Sequence, residues 1–376
     1  MKISFNLLET PEGGAGGGFS FRDSLSLHLN RAGHEVTNNL EDKDIDIIFL
    51  ISPLPSQSSN SYDFWGAIKY KYLRNPRVKI IHRVNYTGLT RNPPNRKLDK
   101  QLAYVNNFAD FTTFISEWIK RIQQDNGIGL INYKVILNGA DSEIFYKKKE
   151  YRNPKDQLSI VTHHWSDNKN KGYEIYKYLD TLMGQENIKS DFSFSYIGNL
   201  DPVDFPNTHY LGPMNRKELA KALRQYDIYI TAADLEAAGM HHIEAGCSGL
   251  PILFLENSSI KEYVEDFGES YTLENLLDKL YLMKENYYSY VEKMQNYSNY
   301  EELSFSKYEA IINELNLNKK NIKITLSNKI FIIFLPLIKV FHPLFFTNNF
   351  LLYFSGLKML FLKITRLVDR RSNGER

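Results

Sequence analysis

The sequence predicts an α/β protein with two parallel-sheet domains and a separate C-terminal tail. Its 376 residues leave room for two domains of roughly 150 residues and about half a domain more. Short apolar runs alternate with helical stretches, and the alternation starts again after residues 147–157, which are charged and contain a proline. Strands that are apolar on both faces are typical of parallel sheets covered by helices on both sides. We therefore expect two doubly wound, Rossmann-like domains that face a cleft, at 1–146 and 158–318, joined by a linker at 147–157.

The first domain is expected to begin with a strand at 3–7, a glycine-rich loop and a helix at 19–32, which Gly33 is suited to end. Ser116 is a good N-cap for a helix that follows a strand at 111–115. The other strands predicted for this domain are 46–51, 78–82 and 134–137.

The second domain repeats the same pattern of short apolar strands and amphipathic helices. Its predicted strands are 158–162, 192–197, 228–231 and 251–255, and its predicted helices are 172–182, 216–226, 242–247, 274–287 and 301–315.

Composition excludes several classes of protein. With 43% hydrophobic and 24% charged residues, the chain has enough apolar mass to fold, so disorder throughout is excluded. The lone cysteine, Cys247, excludes a disulfide framework and a metal site built from several cysteines. A net charge of +2 gives no support for nucleic-acid binding.

The tail, residues 319–376, differs from the rest of the chain in charge and composition. It carries 11 Lys and Arg against two acids, whereas residues 1–318 have a net charge of −7. Its longest uncharged stretch, 340–357, contains His342 and Pro343, which disfavours a membrane-spanning helix. We expect apolar, basic helices that lie on an anionic membrane surface; packing of the tail on the body or on a second protomer is the alternative. The first apolar run ends at Leu8, too early for a secretory signal, so the body is expected in the cytoplasm.

The glycine-rich loop after the first predicted strand is a candidate phosphate site. Residues 13–18 contain five glycines, which let backbone N–H groups approach a phosphate at the start of the next helix. The dinucleotide-binding and P-loop patterns are both absent. A flexible turn and a diphosphate cradle therefore both remain open.

Further candidates stand at the ends of predicted strands. His82, followed by Arg83, ends the strand at 78–82 and is suited to hydrogen-bond a substrate hydroxyl, with a structural histidine as the alternative. Lys171 stands where the helix at 172–182 begins, a position that suits a phosphate, with a solvated lysine as the alternative. His163 and His164 are adjacent in a strand and face opposite sides, which argues against a metal site.

The segment 231–251 carries the strongest signal. Glu236 and Glu244 are separated by seven residues, Gly239 allows a tight turn between them, and a short helix is expected to follow. Free N–H groups of Met240 and His241 at that helix start could bind hydroxyls or a phosphate, and Glu244 could accept two hydroxyls of a ribose. Two solvated acids beside a helix start are the alternative.

Taken in order, these motifs resemble the retaining GT-B glycosyltransferases of glycosyltransferase family 4. The Glu–seven residues–Glu spacing is followed by Ala245, Gly249 and Pro251, as in the family pattern Glu-Ala-x-x-x-Gly-x-Pro. Four further segments match weakly but in the right order: Ala109-Asp110 with Ser116, Asn138-Gly139-Ala140-Asp141 with Phe145, Lys171-Gly172, and Tyr210-Leu211-Gly212 with Tyr226-Asp227.

The resemblance implies a role for each candidate residue. Gly16 and Gly17 would contact the diphosphate of a nucleotide-sugar donor, Lys171 would neutralise it, and Glu244 would hold the ribose. The remaining candidates would contact the rest of the donor or the acceptor. Glu236 and the Gly239–Met240–His241 backbone would hold the donor sugar, and Met214 would cover the base. His82 would lie near the sugar and the acceptor, with Arg83 beside it on the acceptor side.

The resemblance also implies a reaction. A sugar would pass from a nucleotide-sugar, with UDP favoured by family frequency, to a glycan or lipid-linked acceptor of surface polysaccharide synthesis. The anomeric configuration would be retained without a metal or other cofactor, and the enzyme would lie on the inner face of the cell membrane. A nucleotide-sugar epimerase and a non-catalytic sugar-binding subunit are the alternatives.

The sequence departs from the family pattern at two places. His164-Trp165-Ser166 stands where the family has an arginine before the lysine, and either Lys169 or Arg83 could supply the missing charge. Ala237-Ala238-Gly239-Met240-His241 replaces the usual Gly-Phe-Gly-Leu-Pro. We therefore expect an altered sugar pocket.

Overall fold

A computed structural model describes residues 1–10, 17–55, 58–153, 155–165, 171–199 and 204–317. Within these residues the chain forms two parallel β-sheets, each flanked by helices on both faces. The two-domain α/β prediction is therefore confirmed, whereas the predicted tail at 319–376 lies outside the described residues.

The first sheet and its helices come from the N-terminal part of the chain. All neighbouring strands pair in parallel, in the order β2-β1-β3-β4-β5-β6 among the described residues. The strands are β1 (Lys2–Phe5), β2 (Glu35–Thr37), β3 (Ile47–Leu50), β4 (Lys79–Val84), β5 (Phe111–Phe114) and β6 (Tyr133–Val135), and the helices are α1 (Gly17–Arg31), α2 (Phe64–Leu73), α3 (Arg96–Asn106) and α4 (Glu117–Asp125).

The second sheet begins after residues 147–157. Its strands are also parallel, in the order β12-β11-β10-β7-β8-β9 among the described residues. The strands are β7 (Leu158–His164), β8 (Phe192–Gly198), β9 (His209–Leu211), β10 (Ile228–Ile230), β11 (Ile252–Phe254) and β12 (Gly268–Ser270), and the helices are α5 (Tyr173–Met183), α6 (Glu186–Lys189), α7 (Arg216–Leu223), α8 (Met240–Cys247), α9 (Ile260–Val264), α10 (Leu276–Glu285), α11 (Tyr287–Met294) and α12 (Glu301–Leu317).

Each strand order contains a point where the direction of winding reverses. In the first sheet the reversal lies between β1 and β3, and in the second it lies between β7 and β10. Open parallel sheets bind ligands in the crevice outside the carboxyl ends of the strands at such a point. The topology therefore directs attention to the residues that follow β1, β7 and β10.

Buried apolar strands form the centre of each domain. In the first sheet, Ile3, Phe5 and Phe49 pack on one face with Leu25 and Leu29 of α1, and the other face is covered by α2 and α3. Both faces of the central strands are removed from water, which explains why these segments read as continuous apolar runs. Ser116 caps α4 as predicted, with its hydroxyl accepting a hydrogen bond from Ile119 N at 3.1 Å.

Several elements differ from the sequence prediction. β4 ends at Val84, two residues beyond the predicted end, so His82 lies inside the strand. The three-residue strands β2, β9 and β12 were not predicted. They contain no fully buried residue, so the sequence has no apolar run at these positions.

Helix α12 packs on the first domain, although its sequence position places it in the second. Phe305, Tyr308 and Ile312 join the hydrophobic cluster of β1, β3 and α1. The chain reaches that position by crossing itself: Ala140 N donates to Asn299 O at 3.0 Å, and Glu301 N donates to Ala140 O at 3.0 Å. The first domain is therefore completed by residues 301–317.

Direct hydrogen bonds also join the two domains on the side of α4. The Glu262 carboxylate accepts hydrogen bonds from the backbone N–H groups of Glu117 and Trp118, both at 2.6 Å. These are free donors of the first turn of α4, so a residue of the second domain satisfies a helix end of the first. The Tyr263 hydroxyl donates to Ile115 O at 2.6 Å.

None of the helices within the described residues combines the length and the apolar character needed to cross a bilayer.

Candidate active site

The first residues of α1 and α8 meet across the domain boundary. A Cβ atom placed on Gly17 would lie 3.6 Å from Met240 Cγ, in ordinary van der Waals contact. The first turn of a helix has unpaired N–H groups and a partial positive charge. Two such helix starts are thus brought together beside the reversal points of both sheets, an arrangement suited to an anion.

Lys171 and Glu236 form an ion pair at this place. Lys171 follows β7 and precedes α5, and Glu236 follows β10, so the two strands that flank the reversal point each supply one partner. Both side chains are only partly buried. The pair therefore offers one ammonium group and one carboxylate to a ligand in the cleft.

Glu244 is held by a histidine of β7. Its carboxylate lies 3.0 Å from His163 Nε2, and both side chains are largely buried. Glu244 is on α8, on the second turn after Gly239, so its orientation is fixed by the helix and by His163 together. One oxygen of the carboxylate makes this contact, which leaves the other available to hydroxyl groups.

The loop between β10 and α8 is held in an uncommon conformation. Leu235, directly before Glu236, has a φ of 51°, which is uncommon for a residue with a side chain. The Glu236 carbonyl accepts hydrogen bonds from Ser259 N at 3.2 Å and Ser259 Oγ at 2.9 Å. Ala237 packs against the first domain in a cluster with Phe114 and Ile115. Contacts from both domains thus fix the position of Glu236.

Gly239 lies where two functional side chains converge. A Cβ atom on Gly239 would overlap the His241 imidazole and would lie 3.1 Å from the Glu236 carboxyl carbon. A residue with a side chain would therefore displace one of these groups.

Buried histidines surround Lys171. Burial lowers the pKa of His164 and of His241 well below the ordinary value, and nearby histidines and Lys171 lower both further. Burial likewise lowers the pKa of His242 to about 3, again with a contribution from Lys171. These imidazoles are therefore neutral at physiological pH, and Lys171 is the cation that the described residues bring to this group.

His82 is not brought to the cleft. Its side chain is fully buried between β4 and α3, and Nδ1 lies 2.9 Å from Asn106 Oδ1. Burial lowers its pKa to about 4. The amide oxygen accepts, so Nδ1 carries the proton of the neutral ring, and Nε2 has no hydrogen-bond partner. The expected contact of His82 with sugar and acceptor is thus corrected: the alternative, a structural histidine, fits this geometry.

Arg83 is likewise committed inside the protein. Its guanidinium lies 3.7 Å from the centre of the Phe21 ring and donates to Asn138 Oδ1 at 2.8 Å and to Tyr308 Oη at 3.2 Å. Only 2% of the residue is exposed. Arg83 therefore supports the crossing of the chain and does not supply the charge missing before Lys171 or a contact to an acceptor.

The roles expected for three other residues stay predictions. Gly16 and Lys169 lie outside the described residues. Met214 follows β9 and is half-buried against the cluster that includes Ile197 and Leu223. Its placement over a base stays a prediction.

Asn85 was missed by the sequence analysis. It is the first residue after β4 and lies beside the first turn of α1, with its terminal amide 3.9 Å from a Cβ placed on Gly18. In the orientation that satisfies its hydrogen bonds, the amide nitrogen donates to Ile51 O at 3.1 Å. Had the strand been read to Val84, the rule that site residues follow strands would have selected Asn85 instead of His82.

Among the residues that the structure describes, no group of three or more His, Cys, Asp or Glu side chains is arranged to hold a metal ion. Metal independence stays a prediction.

The sequence of the second domain matches a known family. Residues 206–302 match the sequence model described as Glycosyl transferases group 1, a segment that includes Glu236 and Glu244. No curated protein matches the sequence of this chain significantly.

Solved structures of glycosyltransferases share the fold of the whole described chain. The lipopolysaccharide outer core galactosyltransferase WaaB is 13% identical, with a TM-score of 0.62 over 84% of this chain and 99% of that one. Sucrose-phosphate synthase from Thermosynechococcus elongatus is 12% identical, with a TM-score of 0.60 over 84% and 99%. Anabaena Alr3699/HepE, solved in complex with UDP-glucose, is 14% identical, with a TM-score of 0.58 over 84% and 98%. The chain therefore has the GT-B fold that the sequence predicted.

The burial of His82 predicts acid sensitivity of the first domain. A histidine in the unfolded chain titrates near 6.5, so between about pH 6.5 and pH 4 the unfolded chain binds a proton that the folded chain does not. Stability therefore falls as the pH falls through this range. His82→Asn keeps an N–H group for Asn106 and removes the titrating imidazole. Between pH 7 and pH 5 the free energy of unfolding of this variant should therefore fall less than that of wild type, by about 2 kcal/mol.

Urea denaturation followed by tryptophan fluorescence measures this difference, because Trp65 lies in the first domain. His209→Asn is the matched control, because it makes the same substitution at an exposed position of the second domain. Equal pH dependence of wild type and His82→Asn would contradict the prediction.

Proposed function

We propose that this protein is a retaining glycosyltransferase that moves a sugar from a UDP-sugar to a glycan or lipid-linked acceptor. The observation that carries the proposal is the Lys171–Glu236 pair at the reversal point of the second sheet, beside the loop that leads to Met240, whose side chain approaches the start of α1. The match of residues 206–302 to Glycosyl transferases group 1 supports it. UDP is favoured because Alr3699/HepE, which shares the fold, binds UDP and UDP-glucose.

In this proposal the donor lies between the starts of α1 and α8. Lys171 and the backbone N–H groups near Gly17 and Met240 bind the diphosphate. Glu244 accepts hydrogen bonds from the ribose hydroxyls, and His163 holds its carboxylate in place at 3.0 Å. Glu236 binds the donor sugar. Met214 covers the base.

The reaction requires stabilisation of negative charge on the leaving diphosphate. Lys171 and the two helix starts are fixed before the reaction begins, so they stabilise this charge without reorganising. The leaving phosphate takes the proton of the acceptor hydroxyl, so no protein base is needed, and His82 has no part in the step. The proposal needs no metal, because the lysine and the helix starts neutralise the diphosphate. Closure of the domains excludes water from the donor.

The proposed place of the reaction is the cytoplasmic face of a membrane. The basic, apolar residues 319–376 would hold the protein on anionic lipid, close to a lipid-linked acceptor of surface polysaccharide synthesis. WaaB and WaaG, which share the fold, are named for lipopolysaccharide synthesis.

Nucleotide binding tests the donor site. We expect the full-length protein to bind UDP more tightly than GDP or ADP in calorimetric titration. Glu244→Gln should weaken UDP binding about tenfold or more, because hydrogen bonds from ribose hydroxyls to a charged acceptor are lost. Glu186→Gln is the control, since Glu186 is 90% exposed and precedes β8 at the other end of the sheet. A folded protein that binds none of the three nucleotides would overturn the donor site.

Sugar transfer tests the Lys171–Glu236 pair. Lys171→Met should lower kcat by about 10²–10³-fold, because one preorganised charge at the leaving group is removed. Glu236→Ala should also lower the rate, whereas the exposed Lys177→Met should not. The anomeric configuration of the product, read by NMR, should match that of the donor. Unchanged transfer by Glu236→Ala would contradict the site, and an inverted product would contradict retention.

Vesicle flotation tests the tail. The full-length chain should float with vesicles that contain phosphatidylserine and remain at the bottom with pure phosphatidylcholine, because its 11 basic tail residues need anionic lipid. A chain that ends at Asn318 should not float with either. Equal flotation of both chains would overturn the membrane role of the tail.

A further inference from the structure

His241 occupies a position where the resembled pattern has proline, and the proposed donor contacts leave its side chain without a role. The residue is the second of α8, and only 7% of it is exposed. Its imidazole is in contact with that of His164, with ring centres 4.7 Å apart. Each of the two histidines has a hydroxyl partner: His164 pairs with Tyr176, and His241 with Thr231.

The partners of Tyr176 fix the proton on His164. The Tyr176 hydroxyl accepts hydrogen bonds from Ala232 N and from Thr162 Oγ1, both at 3.0 Å. Its two lone pairs are then occupied, so its proton points to His164 Nε2 at 2.7 Å. His164 Nε2 therefore accepts.

The surroundings of Thr231 assign the proton on His241. The Thr231 hydroxyl accepts a hydrogen bond from Ala233 N at 3.4 Å and lies 2.9 Å from His241 Nε2. Because both lone pairs of the nearby Tyr176 hydroxyl are occupied, we assign the proton of the Thr231 hydroxyl to His241. Nε2 accepts it, and the proton of the neutral imidazole is on Nδ1.

The Nδ1 edge of His241 faces the cleft loop. A Cβ atom on Gly239 would overlap both Nδ1 and Cε1 of His241, and the same position lies 3.1 Å from the Glu236 carboxyl carbon. Nδ1 has no hydrogen-bond partner among the described residues. A neutral N–H donor and a carboxylate acceptor thus both lie beside Gly239.

We propose that His241 Nδ1–H and the Glu236 carboxylate together bind the hydroxyl groups of the donor sugar, so that His241 is a specificity-determining residue. A sugar hydroxyl suits both groups, because its oxygen accepts from Nδ1–H while its proton goes to the carboxylate. A position without a hydroxyl leaves His241 Nδ1–H unpaired and removes one hydrogen bond to Glu236, which disfavours deoxy sugars. This inference rests on the proposed function, since it requires a nucleotide-sugar in the cleft.

Two substitutions separate the two nitrogens of the ring. His241→Asn places an amide N–H near the position of Nδ1, whereas His241→Gln extends its amide toward Thr231 and offers nothing near Nδ1. Thr231→Val keeps the imidazole but removes the hydroxyl that fixes its tautomer. UDP lacks the sugar, so its affinity reports whether each variant retains an intact nucleotide site.

The experiment measures dissociation constants of the full-length protein for UDP, UDP-glucose, UDP-galactose, UDP-xylose and UDP-N-acetylglucosamine. For the UDP-sugar that wild type binds most tightly, His241→Gln should weaken binding roughly tenfold, while the affinity for UDP changes less than about twofold. His241→Asn should recover most of the lost affinity for the UDP-sugar. The affinity of Thr231→Val should lie between those of His241→Asn and His241→Gln.

Four outcomes would overturn the inference. The first two are unchanged UDP-sugar binding by His241→Gln and an equal loss of UDP and UDP-sugar affinity in that variant. The other two are a His241→Asn variant that binds the UDP-sugar no more tightly than His241→Gln, and a wild type that binds UDP but no UDP-sugar. A wild type that binds no nucleotide at all would instead overturn the proposed function itself, and the inference would fall with it.

Discussion

The relative position of the two domains depends on the place where the chain crosses itself. Gly139 is essential there, because a Cβ atom would overlap the backbone of Tyr300 and Glu301. Arg83 holds the two crossing segments together. It donates hydrogen bonds to Asn138 on the first segment and to Tyr308 of α12, the helix that begins at the second segment. A buried arginine needs such partners, and here the partners are the elements that tie residues 301–317 to the first domain. The approach of Met240 to Gly17, and with it the whole candidate site, requires this arrangement.

The sequence was sufficient to predict the fold, because both sheets are made of buried, continuous apolar strands. It was less successful where a long-range contact decides the outcome. Helix α12 belongs to the first domain through its contacts with β1 and β3, which no local pattern reveals. His82 was selected because the end of β4 was placed two residues early, and that shift moved the expected site from Asn85 to a residue buried against α3.

The candidate site was predicted best where chemistry and spacing coincide. Lys171 and Glu236 are 65 residues apart in sequence, yet both follow strands that flank the reversal point, which the rule for parallel sheets anticipates. The side-chain contacts of His163 and His241 could not be predicted from the sequence. Both depend on the side chain that each ring meets, Glu244 and Thr231, and such pairs across elements follow from packing alone.

The charge balance of the candidate site differs from that of the resembled family, whose pattern has an arginine before the lysine. Lys171 is already paired with Glu236, and His164 and His241 are neutral because burial lowers the pKa of both. A protonated imidazole in that cluster would face Lys171 and its neighbours at high cost, so histidine cannot replace the lost charge. If a nucleoside diphosphate binds here, its remaining charge must be met by the backbone N–H groups at the starts of α1 and α8. Those donors do not titrate, and their direction is set by the helices. The binding of an anion would then depend chiefly on the two domains being held together. Anion binding would therefore depend on the chain crossing at Gly139.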